Sequence, residues 1–168
     1  MDQLIKLYRM SKDEAMGQVS LLSEDGLVVE IFKPKILRLG LDGEEKVKRI
    51  LWYIITLGQY HILYVKQDHR IAHYSFIIPK NFRFPFMNPG DLQIGPCFTY
   101  PGFRNRGIYT KVLCLIPNIL GEAGSGFWIY TTQNNLVSQK AIERAGYRFF
   151  DYMKGTPILR ILKQTKAG

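Results

Sequence analysis

The 168-residue sequence is poor in cysteine and histidine, with two of the first and three of the second. Cys97 and Cys114 lie in apolar surroundings and show neither zinc nor redox spacing. Reduced, buried thiols are therefore expected, although spacing alone leaves a bridge between them open. His61, His69 and His73 form no coherent ligand cluster, so no metal is expected. Long apolar runs are missing as well: Leu51–Leu57, among the longest, is far too short to cross a bilayer. The opening residues lack the basic region and apolar stretch of a secretory leader. These absences point to a cytoplasmic protein without a membrane partner. Acidic residues are in deficit, 14 against 23 Lys and Arg, for a net charge of +9. Such a charge attracts nucleic acid, acidic surfaces or phosphorylated small molecules alike. The basic residues are spread along the chain rather than gathered in a tail, which argues against nucleic acid.

What the chain does have is apolar content, 46%, with 10 Phe, 10 Tyr and 2 Trp. That is enough for one domain with a sizeable core over residues 1–168. Leu4–Tyr8 reads as a short edge strand, Lys12–Leu22 as a helix capped by Ser11, and Leu27–Phe32 as a strand. Glu44–Leu57 is predicted helical, with Val47, Ile50, Leu51, Ile54 and Ile55 facing the core. His61–Lys66 and Ile71–Pro79 are expected to form a hairpin whose turn lacks glycine. Asn81–Gly90 is a Phe-rich loop that either closes over the core or walls a substrate pocket. Leu92–Thr99 and Phe127–Thr132 read as strands, each followed by a helix: Gly107–Ile116, stopped or kinked by Pro117, and Leu136–Ala145, capped by Asn134 or Asn135. Tyr147–Met153 and Ile158–Leu162 complete an α/β arrangement, a mixed β-sheet flanked by helices.

The informative segment is Leu92–Tyr109, LQIGPCFTYPGFRNRGIY, in which an apolar strand meets a Pro-Gly turn, two arginines and the start of a helix. The first backbone N–H groups of a helix lack internal partners and, with the helix dipole, favour a phosphate. Gly107 allows close backbone approach, and Arg104 and Arg106 add positive charge. An ordinary strand–turn–helix connection with solvated arginines would have the same composition.

Arg104, Asn105, Arg106, Gly107 and Ile108 follow the Arg/Gln-x-x-Gly-x-Gly/Ala pattern of the GCN5-related N-acetyltransferase (GNAT) family, which this chain resembles; Tyr109 departs at the last position. Thr99, Pro101 and Arg104 match the approach to that turn. Downstream, Asn135, Ser138, Gly146 and Tyr147 are similar to the family's Asn-x-x-Ser/Ala segment ending in Gly-Phe or Gly-Tyr. The resemblance covers Tyr60–Leu162 and implies a cleft for acetyl-CoA between two parallel strands, Leu92–Thr99 and Phe127–Thr132. It further implies that Cys97, Phe98 and Thr99 hold the pantetheine arm, that Arg104, Asn105, Arg106, Gly107, Ile108 and Tyr109 hold the pyrophosphate, and that Asn135 and Ser138 support the arm.

The implied reaction is acetyl transfer to a primary amine of a small molecule, an amino sugar being one example. The amine must lose a proton before it attacks, and Asp91 and His73 are the candidate bases. Relatives place a tyrosine seven residues after the asparagine to protonate the thiolate; here that residue is Ile142, and Tyr130 or Tyr109 is the candidate substitute. Ile142 also leaves open a non-catalytic acyl-CoA-binding module. Cys97 lacks an identifiable His partner for covalent catalysis. Sheet edges and C-terminal strands offer surfaces through which two copies could pair as a homodimer.

Overall fold

The computed structural model describes residues 4–15, 26–34, 46–155 and 162–164. The two alternating stretches His61–Gln67 (β3) and Arg70–Pro79 (β4) pair as the expected antiparallel hairpin. In place of glycine, Asp68 and His69 make the turn, both at positive φ, 47° and 64°. Two left-handed residues are what the tight turn of a twisted hairpin requires, and aspartate tolerates that region better than most side chains.

Around this hairpin the described residues form an eight-stranded sheet. Its other strands are β1 (Leu4–Ser11), β2 (Val28–Phe32), β5 (Leu92–Thr99), β6 (Gly126–Thr132), β7 (Arg148–Gly155) and β8 (Leu162–Gln164). The order is β2-β3-β4-β5-β6-β1-β7-β8. Only β5 and β6 run parallel; every other pair is antiparallel, so the sheet is mixed as expected. β1 is not an edge strand: it lies between β6 and β7, because its partners come from the far end of the chain. Where a helix was expected from Lys12, the described residues form one 3₁₀ turn, Lys12–Glu14, with a Ser11–Glu14 capping box and an extended Ala15 after it; the rest of the expected range, 16–22, lies outside the described residues.

Helices α2 (Ile108–Leu120) and α3 (Leu136–Arg144) cover one face of the sheet, and α1 (Lys46–Thr56) covers the other. The first face packs Leu63, Val65, Ile77, Ile94 and Ile129 against Val112, Ile116 and Ile142. The second packs Ile62, Phe76, Ile78 and Trp128 with Trp52, Phe84 and Met87. The loop after β4 is thus largely core, since Phe84 and Met87 are fully buried. α1 buries Trp52 and Thr56 and exposes Ile50, Leu51 and Ile54, a different stripe from the expected one. Every position from Ile50 to Ile55 is apolar, so periodicity within that run could not choose a face. α2 runs through Pro117 instead of stopping there. Proline cannot donate to the carbonyl four residues back; the Tyr147 hydroxyl donates to that Leu113 oxygen at 3.1 Å. Among the described residues no helix is long and apolar enough to cross a membrane.

Candidate functional site

β5 and β6 pair only through Leu92–Phe127, Gln93–Trp128 and Ile94–Ile129. Beyond that point β5 follows β4 and β6 follows β1, with Tyr130 opposite Leu7. The cause lies in β5. Ile77 pairs with Ile94 but Ser75 pairs with Cys97, so β5 carries one extra residue at Gly95-Pro96. Such a bulge bends the strand and ends its ladder. The separation opens a cleft of about 1020 Å³ lined by both strands, the start of α2 and one side of α3.

α2 starts at Gly107, whose φ of 70° lies in the left-handed region that suits glycine. The first helical bond runs from Lys111 N to the Gly107 carbonyl at 3.0 Å. The N–H groups of Ile108, Tyr109 and Thr110 therefore have no acceptor inside the helix, and all three residues line the cleft. Arg104 is anchored there: its Nε donates to the Thr99 carbonyl at 3.1 Å and its guanidinium lies over the Phe98 ring. Arg106 is turned elsewhere. It lines no part of the cleft, because its Nη1 donates to Gln67 Oε1 at 2.8 Å and its head rests over Phe103. Across the cleft, Asn135 caps α3 by accepting the Ser138 N–H at 3.1 Å. Tyr109 spans the two helices, its hydroxyl 3.4 Å from Ser138 Oγ.

His73, on β4, is fully buried at the cleft wall. Its Nε2 lies 2.8 Å from Ser75 Oγ and its Nδ1 lies 2.7 Å from Thr99 Oγ1. With Ser75 donating its hydrogen to Cys97 Sγ at 3.2 Å, its oxygen accepts from His73 Nε2–H in the matching tautomer. Nδ1 is then bare and accepts the Thr99 hydroxyl. The chain of bonds thus runs Thr99 to His73 to Ser75 to Cys97. Burial holds the imidazole down at about 4. Burial also pushes the Cys97 thiol up to about 12, against a smaller opposing pull from Ser75. Neither group is poised to react: the imidazole has no free lone pair, and the thiol is protonated at neutral pH.

No family model and no curated protein sequence matches the chain; the likeness is one of structure. A functionally unknown conserved protein from Staphylococcus epidermidis superposes with a TM-score of 0.60 at 12% identity, over 90% of this chain and 60% of its own. A GCN5-related N-acetyltransferase from Sphaerobacter thermophilus gives 0.59 at 12% identity, over 91% of this chain and 50% of its own. AAC(6')-Iy, solved with the bisubstrate analogue CoA-S-monomethyl-acetylneamine, gives 0.50 at 14% identity, over 72% of this chain and 91% of its own. The fold is that of the GCN5-related N-acetyltransferases. The chain spans less than two thirds of the first two of these structures.

Within this GNAT fold the sequence-derived candidates divide. Cys97, Phe98, Thr99, Arg104, Asn105, Gly107, Ile108, Tyr109, Tyr130, Asn135 and Ser138 converge on the cleft together with His73; Arg106 and Asp91 do not. Asp91 lies before the first residue of β5, where its carboxylate accepts three N–H bonds in the core, so it is a structural tie rather than a base. The Phe-rich loop lines no part of this cleft; its Phe84 and Met87 close over the core on the other face of the sheet. Ile142 is fully buried between α3 and the sheet. Sequence reasoning missed Gln93, Lys140 and Arg144, which all line the cleft. The two basic residues stand four apart on α3, two and six positions after Ser138, a helical spacing that was available as a signal. Gln93 gave none.

Proposed function

We propose that the chain binds acetyl-CoA in this cleft and transfers the acetyl group to a primary amine of a small molecule by direct attack. The observation that carries the reading is the separation of β5 from β6 immediately beside the unpaired N–H groups at the start of α2. An extended thioester arm can hydrogen-bond to strand backbone that has lost its partner, while a pyrophosphate meets the helix N-terminus. Arg104, Lys140 and Arg144 bring positive charge to the lining, as a phosphorylated donor requires.

The attacking amine must be neutral, and with His73 fully hydrogen-bonded its proton goes to solvent water. Attack places negative charge on the thioester oxygen, which backbone N–H groups along the open part of β5 are suited to stabilise. Collapse expels the CoA thiolate, which takes up a proton. Tyr130, half-buried at the cleft, and Tyr109 are the phenols within the lining. Burial raises the Tyr109 phenol above its ordinary value, so it stays protonated and able to donate. Among the described lining residues there is no carboxylate.

Arg144 and Lys140 are expected to matter where Arg106 does not. The Lys140→Ala/Arg144→Ala double variant should weaken acetyl-CoA about tenfold in calorimetry at low salt, the scale of two phosphate contacts on an exposed face. Arg106→Ala should stay within twofold. Equal losses from both would overturn this assignment.

The test of the function itself is thiol release from acetyl-CoA with a panel of primary amines, followed by mass analysis of the product. Amine-dependent CoA release with an acetylated product is expected. Absence of acetyl-CoA binding would sink the reading. Binding without transfer would favour the second one, a non-catalytic acyl-CoA-binding module, which the buried Ile142 at the usual tyrosine position favours.

A further inference from the structure

Gln93 is 2% exposed, yet it lines the cleft at the middle of the three parallel pairs. Its orientation is set by one bond, Nε2 donating to the Ile94 carbonyl at 2.7 Å. The flipped amide would set two oxygens against each other, so this bond decides which end is which. Oε1 is left shielded from solvent and without a hydrogen-bond partner among the described residues. The indole N–H of Trp128, its cross-strand neighbour, is committed to Asp91. A buried carbonyl without a donor is destabilising, and a methionine of similar length would avoid the loss. A glutamine kept there calls for a ligand that brings an N–H.

We propose that Gln93 Oε1 receives the N–H of the acceptor amine at the closed end of the cleft, an inference that rests on the acyl-CoA reading above. Cross-strand neighbours share a face. Gln93 stands opposite Ile78 on one side and Trp128 on the other, and both belong to the core on the α1 side of the sheet. The phosphate-binding turn lies with α2 on the opposite side. An N–H that meets Gln93 thus comes from the side away from the helix start assigned to the CoA phosphates, a side those phosphates leave open to a second substrate. The amide is no base. By taking one hydrogen of the amine it turns the nitrogen lone pair toward the thioester carbon, and its neutrality suits an acceptor that has already lost its extra proton. The pantetheine amides carry the same N–H chemistry, so the test must tell the two sources apart.

Two CoA derivatives do so without any known acceptor: CoA–S–CH2–CO–NH–CH3, whose amide N–H stands for the amine, and the matching methyl ester, which has none. Wild type is expected to bind the amide about tenfold more tightly than the ester, the worth of one net hydrogen bond. Gln93→Met should bring the ratio close to one, leave CoA affinity within twofold, and leave the unfolding midpoint of the free protein unchanged or higher. Equal binding of the two probes by wild type, or a preference that survives in Gln93→Met, overturns the proposal while acyl-CoA binding stands. Weakened CoA binding in Gln93→Met assigns the N–H to the pantetheine arm and overturns the amine. A large fall in the unfolding midpoint makes Gln93 a structural residue and likewise overturns it. Failure of CoA and both probes to bind removes the acyl-CoA reading and this inference together.

Discussion

Asp91→Ala is expected to lower the unfolding free energy by about 4 kcal/mol in urea titration, while Asp91→Asn should lower it by about 2 kcal/mol and retain turnover per folded molecule. The carboxylate is 2% exposed. It accepts Gly126 N–H at 2.7 Å, Trp128 Nε1–H at 2.8 Å and Asn88 N–H at 2.9 Å. Hydrogen bonds to a charged group contribute about 1.5–3 kcal/mol each, and bonds that share one acceptor group do not add fully. Alanine leaves three buried donors stranded. Asparagine keeps one oxygen but must turn its NH2 toward a donor. The fit around the carboxylate is close: a Cβ on Gly126 would lie 2.8 Å from Asp91 Oδ1. Loss of turnover in Asp91→Asn with no loss of stability would restore Asp91 as the base.

Acid should weaken the fold through His73 by up to about 3 kcal/mol. Burial lowers its folded-state value from 6.5 to about 4. Between those two pH values the unfolded chain takes up a proton that the folded one refuses. The contribution is therefore fully present above 6.5 and is lost as the pH falls toward 4. His61, held down by burial and by Lys33, acts with the same sign, so the comparison needs a variant. Unfolding free energies of wild type and His73→Asn, measured at intervals from pH 7.5 to pH 4.5, should converge on acidification. Parallel curves would show that the imidazole does not titrate differently in the two states.

The parts of the site that were legible in sequence are those encoded within a few residues. Gly107 at a left-handed helix start and Asn135 at a cap announce themselves because the backbone geometry is local. Their order matched the GNAT pattern, and it was that resemblance which implied a cleft between β5 and β6. What was not legible depends on partners far along the chain. Asp91 meets donors 35 and 37 residues away, and nothing near it marks it as a tie rather than a base. Arg106 is held by Gln67, 39 residues earlier, so its charge counted toward the turn although its head points elsewhere. β1 looked like an edge because its neighbours β6 and β7 had not yet appeared in the sequence. His73 was singled out as a candidate base and lines the cleft, but only its bonds to Thr99 and Ser75 reveal that both its nitrogens are occupied.

The bond from Tyr147 to the Leu113 carbonyl has a mechanical consequence. Tyr147 stands three residues past the end of α3 and is fully buried, so the Leu113 oxygen released by Pro117 in the middle of α2 is gripped by the segment that terminates α3. The middle of α2 is thereby riveted to the segment that closes α3, away from the helix start that faces the cleft. Any hinge that widens the entrance has to tilt the two helices as one lever. The compliant wall is the other one, where the bulged end of β5 has already let go of β6.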